Sequence, residues 1–214
     1  MYNSIVSFFQ DGGAFMYPIM VVLAIGLAIA LERYIYLTVS KASNRRMMGK
    51  MMPLLQRGDY KHAFGEASKS NHAISRMLSQ GLSRYKSASN RDDIESAMEE
   101  SMMEVIPRLE KRTHYLATFA NIATLLGLLG TIIGLIKAFT AVAQVDPALK
   151  AEILSTSISV AMNTTAFGLI AAIPLLLIHA VLQTKTTEIV DSLEMATVKF
   201  TNLMMQRKSI SSAS

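Results

Sequence analysis

Residues 113–136 read THYLATFANIATLLGLLGTIIGLI, a stretch without Asp, Glu, Lys or Arg. Residues 153–184 form a second stretch without these charges, and residues 12–31 form a third. A helix needs about 20 mostly apolar residues to cross the hydrocarbon core of a bilayer. The sequence therefore predicts an all-α membrane protein with three transmembrane helices.

The positive charges are distributed unevenly along the chain, and their distribution predicts a topology. Residues 1–31 contain no Lys or Arg, whereas residues 32–112 contain fifteen. The connection at 140–152 has only Lys150, and residues 185–214 add four more. Because cytoplasmic segments carry the excess of Lys and Arg, the N-terminus is predicted outside the cytoplasm and the C-terminus within it.

These observations divide the chain into seven predicted segments. They are a periplasmic N-terminus (1–13), transmembrane helix 1 (14–37), a cytoplasmic helical segment (38–112), transmembrane helix 2 (113–139), a periplasmic loop (140–152), transmembrane helix 3 (153–184) and a cytoplasmic C-terminal helix and tail (185–214). The third apolar stretch is longer than a bilayer requires, and no strong helix breaker follows it. We therefore expect this helix to continue beyond the lipid into water.

The segment 38–112 is expected to consist of short helices. Arg57-Gly58-Asp59 is predicted to end one helix and open another, and residues 87–90 mark a second break. Asn90 followed by Asp93 resembles a helix N-cap with an acid in the first turn, which predicts a helix that begins near Arg91. We expect that helix to run on into transmembrane helix 2.

Apolar residues recur at helical spacing in this last piece, opposite several glutamates. We interpret the stripe as a packing face, and we interpret the methionines of the segment as adaptable core residues. The stripe comprises Ile94, Met98, Met102, Ile106 and Leu109, and the methionines are Met47, Met48, Met51, Met52, Met98, Met102 and Met103.

Transmembrane helix 2 carries three glycines on neighbouring turns, Gly127, Gly130 and Gly134. Two small residues four positions apart allow another helix to approach closely, so these glycines predict a helix-packing or oligomer contact. Thr131 lies beside them. Its hydroxyl could face an ion path, or it could bond to a carbonyl one turn earlier.

Transmembrane helix 3 carries a polar stripe, because Ser155, Ser159 and Asn163 are each four residues apart. Thr165 lies about a third of a turn from this stripe. Polar groups at membrane depth commonly line an ion or substrate pathway, and they also serve as hydrogen bonds between helices. We predict that Thr131, Thr165, Asn163 and Ser159 line an ion pathway.

The predicted transmembrane helices lack the carboxylate that a proton carrier needs. Threonine, serine and asparagine do not titrate in the physiological range. His114 and His179 are the nearby titratable groups, and we interpret both as interfacial. A partner protein would therefore have to supply the acid.

Other functional classes find no support in the sequence. It has no Gly-Lys-Ser/Thr phosphate loop, no metal-ligand spacing among its four histidines, and no nucleophile beside a recognisable base. We predict no enzyme activity, no catalytic residue, no metal and no cofactor. The net charge of +5 does not predict a nucleic-acid binder, because the basic residues follow topology and alternate with acids.

Several motifs resemble the MotA/TolQ/ExbB proton-channel family, and its ExbB and TolQ members most. The residues that carry the resemblance are LATFAN at 116–121, GLLGTIIG at 127–134, ISVA at 158–161 and TAFGLIAAIP at 165–174. The predicted topology, with one span, a large cytoplasmic segment and a two-span hairpin, is similar as well.

The resemblance implies a motor subunit of a bacterial inner membrane that uses proton-motive force in protein transport or envelope work. It implies a pentamer around a single-span partner like ExbD or TolR, whose membrane aspartate carries the proton. It also implies a further partner like TonB or TolA. Thr131 and Thr165 match the family's pore-facing threonines, and Gly127, Gly130 and Gly134 match its helix contacts.

The chain departs from the family pattern at a few positions. Val160 stands where a glutamate is usual, Thr124 stands where a proline is usual, and His179-Ala180 replaces a Tyr-Asn pair. These departures keep a second hypothesis open, in which the protein is a non-conducting scaffold that recruits partners through its cytoplasmic segment. The ion, proton or sodium, and the process that is energised are also left open by the sequence.

Overall fold

The computed structural model describes residues 12–85, 88 and 90–212, with side chains as far as Gln206, and these residues are almost entirely helical. The six helices of the described residues are α1 (Met16–Arg57), α2 (Tyr60–Ser68), α3 (Ala73–Tyr85), α4 (Arg91–Glu110), α5 (Thr113–Ala143) and α6 (Lys150–Ser212). Three helical segments, containing α1, α5 and α6, are long and apolar enough to cross a membrane. The prediction of an all-α membrane protein is thus confirmed, whereas the topology of its segments stays a prediction.

The breaks between the short helices lie where turn chemistry predicts them. Gly58 has a φ of 79°, a left-handed conformation that glycine adopts without steric cost. Asp59 then caps α2, since its carboxylate accepts a hydrogen bond from the backbone N–H of His62 at 3.2 Å. At the second break, the Asp93 carboxylate accepts a bond of 3.1 Å from the backbone N–H of Asn90, and α4 begins at Arg91 as expected.

The expectation that α4 runs on into the next apolar helix is wrong. Lys111 has φ −47° and ψ 132°, and Arg112 has φ 65° and ψ −12°. These angles form a type II turn, in which the third residue takes the left-handed conformation that a non-glycine residue adopts rarely. The sequence offered no glycine to mark the turn. Pro107 lies one turn before it and cannot donate to the helix ladder.

The last helix, α6, extends well beyond the length of a membrane span, as predicted. It continues without interruption from Lys150 to Ser212. At 1.5 Å per residue, a helix of this length measures roughly 95 Å, whereas a hydrocarbon core is about 30 Å thick. Pro174 lies inside this helix and does not end it.

The chain divides into two compact units. The first, which we call the apolar unit, comprises the chain up to Arg33 together with Arg112–Val181. The second, which we call the charged unit, comprises Tyr34–Lys111 together with Leu182–Ser214. Both α1 and α6 contribute residues to each unit.

The charged unit has an apolar core built from α3, α4 and the later part of α6. Phe200 is fully buried, and a Cβ added at Gly81 would lie 2.8 Å from its ring and 2.9 Å from Met98. Glycine at position 81 therefore gives the phenylalanine ring the room it needs. The largest fully buried side chains of this unit also include Leu37, Met51, Leu55, Met77, Leu78, Ile94 and Leu109.

Polar contacts join α1 and α6 at the surface of the charged unit. Lys41 donates a hydrogen bond of 2.5 Å to Glu188, and this bond holds the pKa of the Glu188 carboxyl below its ordinary value. One turn earlier on each helix, Lys185 donates to the Thr38 hydroxyl at 3.1 Å, and its Nζ also lies 3.7 Å from the ring centroid of Tyr34.

The buried face of α4 differs in part from the predicted stripe. Ile94, Met98 and Leu109 are buried as expected, whereas Met102 and Ile106 are only half-buried, because the buried face passes through Ser101 and Val105. The interpretation of Met103 as a core residue is wrong, since its side chain is 70% exposed.

We predict that Phe200→Ala lowers the free energy of unfolding by about 3–5 kcal/mol, because it leaves a cavity beside Gly81. Val198→Ala is the matched control on the same helix, where the side chain is 46% exposed. It should change stability by about 0.5 kcal/mol or less. Chemical denaturation of the protein in detergent micelles measures both, and equal losses would contradict the burial of Phe200.

Candidate functional site

The polar residues of the apolar unit are placed by the close contact of α5 with α6. A Cβ added at Gly168 would lie 2.7 Å from the Ala123 carbonyl oxygen and 3.1 Å from the Gly127 Cα. A Cβ added at Gly127 would lie 3.2 Å from the Thr165 Cα. The two backbones therefore touch here, and only glycine leaves them room.

The contact continues in both directions along an antiparallel pair of helices. A Cβ at Gly134 would meet the Ala161 side chain at 2.9 Å, and a Cβ at Gly130 would collide with the Thr164 methyl group. The three glycines predicted to pack thus face α6 of the same chain. Gly168, which sequence reasoning did not select, is their counterpart on α6, four residues after Thr164.

Thr131 and Thr165 meet at the centre of this contact, and their hydroxyl oxygens are hydrogen-bonded to each other. The Thr165 hydroxyl also donates to the Gly127 carbonyl at 2.9 Å. The Thr131 hydroxyl lies 3.2 Å from the Ala161 carbonyl and 3.3 Å from the Gly127 carbonyl. Both threonines are half-buried.

The two hydroxyls have more acceptors than hydrogens. Each carries one O–H, and these two hydrogens are shared among two carbonyls and the other hydroxyl. In a helix each of these carbonyls already accepts the N–H four residues further on. A hydroxyl that turned away would therefore leave no carbonyl unpaired. The pair can redirect a donor toward an incoming anion at small cost.

Thr164 has a different environment from Thr165, although the two are adjacent. It is buried, and its hydroxyl lies 2.6 Å from the Gly12 carbonyl and 3.0 Å from the Val160 carbonyl. The bond to Gly12 ties the turn that precedes α1 to α6. Thr164 is thus a structural residue of this unit. The sequence did not distinguish this role from that of Thr165.

The remaining residues of the predicted pathway differ in exposure. Asn163 is half-buried and Ser159 is exposed, as is Ser155 on the same stripe. Whether these residues line a pathway stays a prediction. His114 is exposed and His179 is half-buried.

The apolar unit contains an ion pair, in which the Arg112 guanidinium donates a hydrogen bond of 3.3 Å to the Glu32 carboxylate. This ion pair links the first residue before α5 to α1. Among the residues that the structure describes, no group of three or more His, Asp or Glu side chains could hold a metal ion. The site offers neutral hydrogen-bond donors and carbonyls, and it contains no titratable side chain of its own.

Comparisons with known proteins agree with the motifs of the sequence. The family model described as the MotA/TolQ/ExbB proton channel family matches residues 69–195. The chain is 29% identical over 197 residues to a biopolymer transport protein ExbB homolog of Methanothermobacter thermautotrophicus, which covers 91% of this chain and 68% of the relative.

Two further relatives come from bacteria. A biopolymer transport protein ExbB of Aquifex aeolicus is 32% identical over 111 residues, which cover 52% of this chain and 72% of that protein. The Tol-Pal system protein TolQ of Haemophilus influenzae is 38% identical over 78 residues, covering 36% and 34% respectively.

We predict that Gly168→Ala lowers the free energy of unfolding by about 1–3 kcal/mol, because a methyl group here meets backbone atoms that cannot move aside. Gly26→Ala is the matched control. The three atoms nearest to its added methyl all belong to the side chain of Leu175, with the closest at 2.8 Å.

Both substitutions gain the same helix propensity, so the difference between them isolates the packing cost. Denaturation of the two variants in detergent measures this difference. Equal stabilities would contradict the backbone contact of α5 with α6.

Proposed function

This chain belongs to the MotA/TolQ/ExbB proton channel family, as its motifs predicted, and from this premise we propose that it is the ion-channel subunit of an energy-transducing membrane complex. Its relatives are named as biopolymer transport and Tol-Pal system proteins. We infer the same class of work for this chain, in a system of the TonB or Tol type. The hydrogen-bonded pair of Thr131 and Thr165 carries the proposal.

The pair supplies what an ion path needs from its wall. A charged carboxylate is costly in a bilayer unless hydrogen-bond donors or water surround it. Thr131 and Thr165 are half-buried donors within an apolar unit, and their hydroxyls can exchange an internal acceptor for an external anion. The neutral, protonated acid has no need of these donors and can pass the apolar wall beside them.

We infer that the titrating group comes from another chain. Residues 113–136 and 153–184 contain no Asp or Glu, and hydroxyls do not titrate in this range. We propose that a single-span partner of the ExbD or TolR kind supplies a membrane aspartate, and that a TonB- or TolA-like protein receives the work.

The energy available is sufficient for such a step. Moving one charge through about 100 mV provides roughly 2.3 kcal/mol. Two arrangements of the complex with equal free energies would be biased about 50-fold in one direction by each ion, since about 1.4 kcal/mol is a factor of ten. Protonation of the partner's carboxylate beside the threonine pair would thereby drive movement of the partner.

The exposed polar groups of α6 support an oligomer. Ser155 and Ser159 are exposed in the single chain and lie in a stretch long enough to cross the membrane. Hydroxyls avoid lipid, so this face would contact protein or water in the assembly. We propose a homo-oligomer, a pentamer by analogy with the family, in a bacterial inner membrane with a periplasmic N-terminus and a cytoplasmic C-terminus.

One observation favours the scaffold hypothesis. The hydrogens of both threonine hydroxyls have acceptors within the chain, so the pair could act only as a link between α5 and α6. Val160, in place of the usual family glutamate, also removes a charge from this region. A scaffold would keep its assembly and lack ion flux.

We predict that Thr131→Val and Thr165→Val each reduce ion flux about 10- to 150-fold, the loss expected for one hydrogen bond of about 1.5–3 kcal/mol to a charged group. Valine keeps the shape of threonine and removes the hydroxyl. The measurement is proton uptake into liposomes that contain the subunit and its partner under an imposed potential.

Thr140→Val is the matched control on α5. The Thr140 hydroxyl is exposed and bonds only to the Ile136 carbonyl, at 2.9 Å. This variant should conduct like the native protein. Native flux in the Thr131→Val/Thr165→Val double variant, with assembly intact, would reject the channel role.

We predict that the purified complex contains a single-span protein with an aspartate in its span, and that Asp→Asn in that partner stops flux. Mass measurement of the complex in detergent identifies the partner. A closed assembly without any such protein, and without flux, would favour the scaffold.

A further inference from the structure

Met103 is the most exposed of the large apolar side chains among the described residues, at 70%, and it lies on a charged helix outside the predicted spans. Glu99 and Glu100 precede it by one turn, and Pro107 follows it by one turn; all three are exposed. We call the face formed by Glu99, Glu100, Met103 and Pro107 the methionine knob. Met103 and Pro107 give this face an exposed apolar centre beside two acidic residues.

The same unit carries an apolar groove between α1 and α6, with a volume of about 650 Å³. Met48, Met52 and Met195 line it, and Met195 is 57% exposed. We call it the methionine groove. Methionine side chains are flexible and polarizable, so they adapt to an inserted apolar group and are common at binding surfaces.

The helix that carries the knob is acidic, and the wall of the groove that α1 forms is basic. Helix α4, which carries the knob, has seven Asp or Glu and two Arg. Residues 38–57 of α1, which form one wall of the groove, have five Lys or Arg and no acid. The groove is lined by Lys41, Arg45 and Lys199 together with Glu188 and Asp191, and Lys41 is paired with Glu188. Arg45 and Lys199 are exposed, so an acidic helix face would be attracted to their side of the groove.

A buried donor in the groove indicates that the occupant brings an acceptor. Asn44 lines the groove and is 3% exposed. Its Oδ1 accepts a bond of 3.5 Å from the Ile74 backbone N–H, whereas its Nδ2 has no hydrogen-bond partner. An unpaired buried N–H costs free energy that a carboxylate or carbonyl of the occupant would recover.

We propose that the methionine groove of one copy binds the methionine knob of the next copy of this chain. The two surfaces differ, so the contact is head-to-tail, and a repeated head-to-tail contact can close into a ring. Pairing of two grooves would bring their basic α1 walls together, and pairing of two knobs would bring acidic surfaces together. Both symmetric alternatives are therefore disfavoured. This inference rests on the homo-oligomer of the proposed function.

The test uses engineered cysteines, which are unambiguous because the chain has no cysteine of its own. Two differently tagged copies are produced together, one with Met103→Cys and the other with Met195→Cys. Oxidation should join the two tags in one disulfide-linked dimer. Each variant alone should give no disulfide-linked dimer.

Val198→Cys is the matched control for Met195→Cys, since Val198 is exposed on the same helix and does not line the groove. It should give about one fifth or less of the cross-linked product. Glu99→Lys/Glu100→Lys in the Met103→Cys copy should lower cross-linking about fivefold, the effect of about 1 kcal/mol from two rim ion pairs. Arg45→Glu/Lys199→Glu in the other copy should restore it.

The mass of the complex in detergent separates the two levels of failure. A monomer would overturn the homo-oligomer and this contact together. An oligomer in which Met103→Cys and Met195→Cys do not cross-link would overturn this contact alone. So would cross-linking of Met103→Cys to itself, or of Met195→Cys to a different protein.

Discussion

The contact of the α5 and α6 backbones at Gly127 and Gly168 is the constraint on which the rest of the apolar unit depends. Helices in lipid gain little from the hydrophobic effect when they associate, so close packing and hydrogen bonds must hold them together. A Cβ at Gly168 would lie 2.7 Å from a backbone oxygen, so the approach is possible only for glycine. It is this short separation that lets Thr131 on one helix reach Thr165 and the Ala161 carbonyl on the other.

Three consecutive polar residues take different roles because a helix turns by 100° at each position. Thr165 faces α5 and meets Thr131, whereas Thr164 is buried and bonds to the Gly12 carbonyl near the start of α1. Asn163 is only half-buried. A single hydroxyl-rich segment thus supplies one residue for stability, one for the candidate ion path, and one whose environment depends on what surrounds the chain.

The features that the sequence predicted correctly are those set by local chemistry. The helix ends at Gly58 and at Asn90 follow from turn and capping preferences, and the apolar stretches follow from composition. The features it missed depend on contacts with distant residues. The turn at Arg112 has no glycine to signal it, and the partner of the Gly127 face could have been found only by searching α6 for a small residue at helical spacing, which would have identified Gly168.

Met103 shows why residue type alone could not separate a core residue from a surface for a partner. At 100° per residue, Met102 lies about 20° and Met103 about 120° from the middle of the predicted stripe, and the buried face passes through Ser101 and Val105. The buried face includes the hydroxyl of Ser101, whereas the side chain of Met103 is exposed to water. The hydrophobicity of a residue therefore does not predict its burial on this helix. The apolar unit also presents groups that suit a partner, because its candidate path is lined by hydroxyls and not by an acid. We propose that in both units the chain presents one half of an interaction, whose other half is a carboxylate in the membrane and a complementary surface outside it.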